Sequence, residues 1–181
     1  MNKKFIISII IFIVAVVGFA IVFAGNGSSK AVIEKTLGAK IQIDHSSKNL
    51  GNIIYDKGVV PHSFPIKNIG TKDLEIANLS TSCACTKVLF KSSNDNSERF
   101  GMKGMSQPSD WKGILKPGES AEIVAEFDAQ YHGPQGVGPI SRTVSIETND
   151  PDHPYVEFNF EGEVVKWKNR FVEELKQRLE T

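Results

Sequence analysis

Short runs of alternating apolar and polar side chains fill the chain from about residue 39 to residue 165. In "AEIVAEFDA" (121–129) and "YVEFNFEGEV" (155–164), nearly every second position is apolar, and glutamates stand at several of the positions between them. A period of two indicates half-buried strands. The turn sequences "NIGTKD", "LKPGES" and "TNDPDHP" separate these runs. Short strands with no helical crossover between them predict an all-β fold, an antiparallel β-sandwich, with a small barrel as the alternative.

The N-terminal segment differs from the rest of the chain in composition, because it is almost entirely apolar. Lys3 and Lys4 precede an unbroken apolar run from Phe5 to Ala24, which as a helix would reach roughly 30 Å, the thickness of a bilayer core. The apolar part of a signal peptide is usually shorter, about 7–15 residues, so residues 1–24 are predicted to be an uncleaved transmembrane anchor. Cleavage after "VFA" (22–24) is the alternative. The lysines predict a cytoplasmic N-terminus, and therefore a single-pass protein of the cell membrane whose remaining chain lies outside the cytoplasm.

The remaining boundaries follow from composition and periodicity. Residues 25–38, which begin "GNGSSK", are predicted to be a flexible linker, and residues 39–166 the β-domain. In the tail, 167–181, the period changes from two to about 3.6, because Trp167, Phe171, Leu175 and Leu179 recur every four residues. This pattern predicts an amphipathic helix that packs on the sandwich, with docking on a partner protein or on the outer membrane face as the alternatives.

Charge and motifs exclude several function classes. The 181 residues include 21 basic and 21 acidic side chains, so the formal net charge is zero and no basic surplus indicates nucleic-acid binding. The chain has no GxSxG, HExxH or phosphate-binding glycine motif, and no CxxC on a βαβ pattern. We therefore expect no enzymatic activity, with a thiol oxidoreductase as the one enzymatic alternative. The expected partners are the membrane and another envelope protein.

Three segments together resemble a known family. They are "HSFPIKNIGTKDLEIANLSTSCACT", "LKPGESAEIVAEFDA" and "ISRTVSIETNDPDHPYVEFNFEGEV". Their N-x-G, SC-x-CT, Pro-Gly and TNDP features resemble the bacterial domain of unknown function numbered 1573, over roughly Ile53 to Val165. Membrane-anchored members have a similar "FGM" loop and "HGPxGVG" segment. The resemblance implies an immunoglobulin-like sandwich related to the Hydin and major-sperm-protein type, and it implies no known enzymatic activity.

The only two cysteines, Cys83 and Cys85, have a single alanine between them. In a strand they would share one face with Cα atoms about 6.6 Å apart, whereas a disulfide needs Cβ atoms about 3.8 Å apart. A disulfide would therefore require a sharp bend. Two long loops supply further soft donors, Met102 and Met105 in one and His132 in the other. Sulfur and imidazole ligands favour Cu(I), with Zn as a competitor, so Cys83, Cys85, Met102 and His132 are a predicted metal site, and Met105 is a weaker candidate.

Other interpretations of these residues stay open. The cysteines can pack as small apolar side chains, or form a strained redox disulfide, and methionines fill gaps in cores. The primary expectation is therefore an extracytoplasmic binding or scaffold domain that acts through protein contacts. A soft-metal protein and a thiol–disulfide redox protein are the two alternatives.

Overall fold

The structure is a computed structural model that describes residues 3–24, 29–166 and 178–179. Its N-terminal helix α1 spans Lys3–Ala24, and its first 18 residues have a mean hydropathy of 2.4 and no burial. This helix is long and apolar enough to cross a membrane, although a signal sequence satisfies the same test. The amphipathic helix predicted for 167–181 lies outside the described residues except at 178–179.

In the described part of the chain, nine strands form two packed sheets, which confirms the predicted β-sandwich. One sheet has the order β1-β3-β7-β5 and the other β2-β9-β8-β4-β6. The strands are β1 Ile41–Ile43, β2 Ser47–Ile54, β3 Val59–Asn68, β4 Leu74–Thr81, β5 Thr86–Ser92, β6 Lys112–Leu115, β7 Ser120–Asp128, β8 Gly138–Thr148 and β9 Tyr155–Val165. A 3-10 turn, Tyr55–Lys57, joins β2 to β3.

One strand pair departs from the predicted antiparallel arrangement. β2 pairs with β9 in parallel, with a register shift between Asn49 and Asn52, whereas all other named pairs are antiparallel. The segment from β1 to β2 crosses to the other sheet within three residues, 44–46, so β2 becomes an edge strand there. The segment "SKNLGNII" buries only Ile53, which explains why its alternation is weak in the sequence.

The core lies between the inward faces of the two sheets. Phe64 of β3 packs against Phe158 of β9 with ring centroids 5.0 Å apart, and neither ring is exposed. Full burial of one large apolar side chain contributes about 1.5–3 kcal/mol, so each of these two rings stabilises the packing of the sheets by an amount of that order. Trp111 covers one edge of the core, where its ring lies 5.5 Å from that of Phe90.

Two buried polar residues fasten one end of the sandwich. The amide of Asn68 donates to the carbonyls of Lys72 (2.8 Å) and Leu115 (2.7 Å), and its oxygen accepts from Gly70 N–H (2.8 Å). The carboxylate of Asp150 accepts from Ile41 N–H at 2.9 Å. These bonds tie β1, β3, β6 and the β8–β9 turn together at the end where β1 begins.

The opposite end, which we call the tip, consists of the turn 82–85, the loop 129–137 and the segment 101–106. β4 ends and β5 begins at the turn, while β7 ends and β8 begins on either side of the loop. The segment 101–106 joins the turn because Met102 forms a bridge with Thr81. The predicted site residues all lie at this end.

Candidate functional site

Cys83 and Cys85 are joined by a disulfide at the tip, with Cα atoms 5.2 Å apart. Both cysteines belong to the turn between β4 and β5, at the end of β4, and not to an extended strand. Thr86 N–H donates to the Cys83 carbonyl at 3.1 Å and closes this turn. The chain therefore makes the sharp bend that a disulfide between these two cysteines requires. In this oxidised state neither sulfur is the thiolate ligand that the predicted metal site requires.

Neighbouring residues hold the turn in place independently of the disulfide. The buried hydroxyl of Thr81 lies 2.8 Å from the carbonyl oxygen of Cys83 and 3.2 Å from that of Thr86, and its one hydrogen is donated to this pair of carbonyls. Asp128 N–H donates to the Cys85 carbonyl at 2.9 Å, which fixes the turn to the end of β7. Ser82 N–H donates to Thr143 O at 2.9 Å and fixes it to β8. Both sheets therefore position the two sulfur atoms.

The β7–β8 loop brings His132 to the disulfide. Its Nε2 atom lies 3.7 Å from the Cys83 sulfur, and the imidazole is exposed and packs edge-on against Tyr131. The loop folds back through successive turns, in which Gly133 N–H bonds Gln130 O and Gly136 N–H bonds Gly133 O. A Cβ atom at Gly136 would lie 2.7 Å from the Cβ of His132. Glycine at position 136 therefore leaves free the space that the His132 side chain needs in this position.

Arg142 is the functional residue that the sequence analysis missed. Its Nε donates to the Cys85 sulfur at 3.2 Å, and its guanidinium carbon lies 5.9 Å from the centroid of the Phe127 ring. Among the described residues, no carboxylate forms an ion pair with it. The signal was present in β8, where Arg142 occupies the inward register together with Ile140, Val144 and Ile146. A lone cation on an apolar face indicates a specific partner, here a sulfur atom.

Met102 and Met105 contribute to a groove beside the disulfide. The groove has a volume of about 430 Å³. Its apolar lining consists of Val59, Ala84, Cys85, Met102, Met105 and Tyr131. Met102 starts a helical turn, since its carbonyl accepts from Met105 N–H at 3.0 Å, and the Met105 side chain remains 71% exposed. The structure therefore places both methionines beside Cys85, where they form part of a surface.

Three of the predicted ligands lie close together. The donor atoms of Cys83, Cys85 and His132 all lie within 4.8 Å of one another. This group is compatible with a soft metal once the disulfide is reduced, because thiolate and imidazole ligands favour such ions. Two sulfurs, an imidazole and a guanidinium within one small volume suit either metal binding in the reduced state or sulfur exchange.

Comparison with known proteins agrees with the fold. Residues 41–98 match the family model of DUF1573, a protein of unknown function. That match confirms the predicted family resemblance. No curated protein matches the chain. A crystal structure of a protein of unknown function from Porphyromonas gingivalis W83 is similar, with a TM-score of 0.51 and 18% identity, covering 69% of this chain and 46% of that one. The chain therefore spans about half the length of that protein.

Two further solved structures are similar to the chain with lower TM-scores. The ASH / PapD-like domain 7 of human CEP192 has a TM-score of 0.43 and 18% identity, covering 74% of this chain and 91% of that one. The CupB6 tip adhesin from Pseudomonas aeruginosa has a TM-score of 0.44 and 14% identity, covering 74% and 43%. The DUF1573 family is described only as being of unknown function.

Proposed function

We propose that this chain is a single-pass membrane protein whose sandwich lies outside the cytoplasm and binds another envelope protein through the tip. Helix α1 is the proposed anchor, with Lys3 and Lys4 in the cytoplasm. The observation that carries the binding role is the groove at the tip. Its side chains Val59, Met105 and Tyr131 are 55%, 71% and 52% exposed. Clustered exposed apolar side chains of this kind mark interaction surfaces.

The composition of the groove suits a polypeptide. Methionine and tyrosine are enriched in protein interfaces, where flexible thioethers adapt to the shape of a partner. Lys87, Glu126 and Asp128 add a polar rim around the apolar floor. The β5 edge is a poorer candidate for strand addition, because its own loop already bridges it at Val88–Phe100 and Lys91–Asn96. We therefore assign binding to the groove.

A photo-crosslinking experiment in intact membranes tests this role. Benzoylphenylalanine is placed at Tyr131 in the groove, or as a control at Ile114, which is equally exposed at 53% but lies on β6. We expect a discrete adduct with one exported protein from position 131, none from position 114, and loss of the adduct when Met105→Asp is added. Adducts of equal yield from both positions, or none from position 131, would contradict the proposal.

Soft-metal binding is a second candidate function, favoured by the close grouping of Cys83, Cys85 and His132. It applies to the reduced protein. Anaerobic titration of the reduced full chain with Cu(I) should then give one tightly bound ion per chain, and Cys83→Ser or His132→Gln should weaken it strongly. An unchanged affinity in both variants would exclude this candidate. Met102→Leu would show whether the thioether takes part.

A further inference from the structure

The two sulfurs of the disulfide differ in accessibility. Cys83 is half-buried and faces the exposed His132, whereas Cys85 is only 2% exposed. Thiol–disulfide exchange proceeds by attack of a thiolate on one sulfur with departure of the other, so access decides which sulfur is attacked. An incoming thiol can reach Cys83 from the loop side, and Cys85 is then the leaving sulfur.

The two sulfurs also differ in electrostatic surroundings. The Nε of Arg142 lies 3.2 Å from Cys85, at hydrogen-bond distance for a sulfur acceptor. When Cys85 leaves as a thiolate, this guanidinium donates a charge-assisted hydrogen bond to it. The bond is stronger to the thiolate than to the neutral disulfide sulfur, so Arg142 favours the reduced state. A disulfide whose reduced form is stabilised is an oxidant.

The disulfide contributes little to the stability of the fold. It closes a ring across one intervening residue, and the entropic stabilisation from a disulfide is smallest for short loops. Thr81, Asp128 and Thr86 already hold the turn by hydrogen bonds. A chemical role therefore explains the pair better than a structural one.

We propose that Cys83–Cys85 is a thiol–disulfide exchange site that oxidises a dithiol of another exported protein, with Arg142 holding the leaving Cys85 thiolate. The exchange chemistry stands on the tip geometry alone, while the choice of a protein as substrate rests on the binding role proposed above. The groove that Cys85, Met102 and Tyr131 line provides the adjacent surface for the segment that carries the dithiol.

The proposed exchange takes place in two steps. A partner thiolate attacks the Cys83 sulfur, the Cys83–Cys85 bond breaks, and a partner–Cys83 mixed disulfide and a Cys85 thiolate form. The second partner thiol then loses its proton to His132 and attacks the partner sulfur of the mixed disulfide. Cys83 leaves and takes that proton from the imidazole, 3.7 Å away. The partner departs as a disulfide, and two electrons have passed to the cysteine pair.

Equilibrium with dithiothreitol, used as the dithiol probe on the full chain in detergent micelles, tests the role of Arg142. Acid quenching, alkylation and intact mass give the fraction reduced. We expect Arg142→Gln to shift the exchange constant about tenfold towards the disulfide, equivalent to about 30 mV, and Arg142→Lys to retain most of the native constant. Arg99→Gln, at an exposed arginine paired with Glu126, is the control and should leave it unchanged. A native constant in Arg142→Gln, or equal losses in Arg142→Gln and Arg142→Lys, would overturn the assignment.

Single-cysteine variants test the direction of attack. With oxidised glutathione as the probe, and in the Arg142→Gln background that removes the charge favouring the Cys85 thiolate, Cys85→Ser, which keeps Cys83, should form a mixed disulfide at least about tenfold faster than Cys83→Ser, because burial protects Cys85. Equal rates or the reverse order would overturn the proposed direction. Arg142-dependent exchange without a crosslinked partner at position 131 would refute the binding role and keep the exchange chemistry. A crosslinked partner without such exchange would refute the exchange chemistry and keep the binding role.

Discussion

Asn68→Ala should be among the most destabilising single changes in this domain. The side chain is fully buried and makes three hydrogen bonds, two donated to the carbonyls of Lys72 and Leu115 and one accepted from Gly70. Alanine leaves all three backbone groups without this partner. At about 1 kcal/mol or more for each neutral group left unsatisfied, the loss is about 3 kcal/mol of unfolding free energy.

Urea unfolding of the full chain in detergent, followed by tryptophan fluorescence, measures this loss. With a slope of about 2 kcal/mol per M, 3 kcal/mol lowers the midpoint by about 1.5 M. Asn52→Ala, at an exposed asparagine of β2, is the matched control and should change the free energy by less than about 0.5 kcal/mol.

Asn68→Asp separates hydrogen bonding from side-chain shape. Aspartate has nearly the same shape and can still accept from Gly70, but when ionised it cannot donate to the two carbonyls. It should therefore destabilise at pH 7 at least as much as alanine. A native midpoint for Asn68→Asp would refute the argument that donated hydrogen bonds, rather than filled volume, hold this end together.

Three further predictions concern pH and the His132 loop. Burial acts to raise the pKa of Asp150, but hydrogen bonds from Ile41 and Asp152 N–H and from His153 outweigh it and leave the pKa below its usual value. Its contribution to stability is present above about pH 4 and is lost as the pH falls, so Asp150→Asn should flatten the acid side of the urea midpoint profile; an equally steep profile would contradict this. Burial first, and then the charges of His45 and Lys48, lower the pKa of His62, and within the described part of the chain its Nε2 is buried without a hydrogen-bond partner. The unfolded chain binds the proton more readily, so stability should decline as the pH falls below about 6.5, and His62→Phe should remove that decline in the same assay. Gly136→Ala should displace His132 and slow reduction by dithiothreitol severalfold, whereas Val137→Ala should not; equal rates would show that the imidazole takes no part.

The strands were predictable wherever one face is buried and the other exposed. In β7 and β9 the burial alternates almost without interruption, so the period of two in the sequence marks the core face directly. β2 is mostly exposed and lies at an edge, so neither its existence nor its parallel pairing with β9 left a periodic signal. Pairing partners depend on long-range packing, which no local window of sequence contains.

The tip was predictable in composition but not in geometry. The residue types identified Cys83, Cys85, Met102, Met105 and His132 as one chemical group, and the structure places all of them at one end of the sandwich. The disulfide depends on a turn that the Thr81 hydroxyl holds by a local hydrogen bond and that Asp128, which is distant in sequence, anchors to the end of β7. The contact between Arg142 and Cys85 could not be predicted, because the sequence does not show which strand end packs against the cysteine turn. The position of Arg142 on the apolar face of β8 could be read from the alternation of that strand.

The reduction potential of the Cys83–Cys85 pair tests the central claim most directly, namely that the tip disulfide takes part in exchange rather than in folding. The full chain is equilibrated in dithiothreitol redox buffers, and the oxidised fraction is read by alkylation and intact mass. The short ring and the Arg142 guanidinium predict a potential less negative than about −250 mV, in the range of exchange-active pairs. A potential at or below about −300 mV, typical of structural disulfides in secreted proteins, would contradict the account.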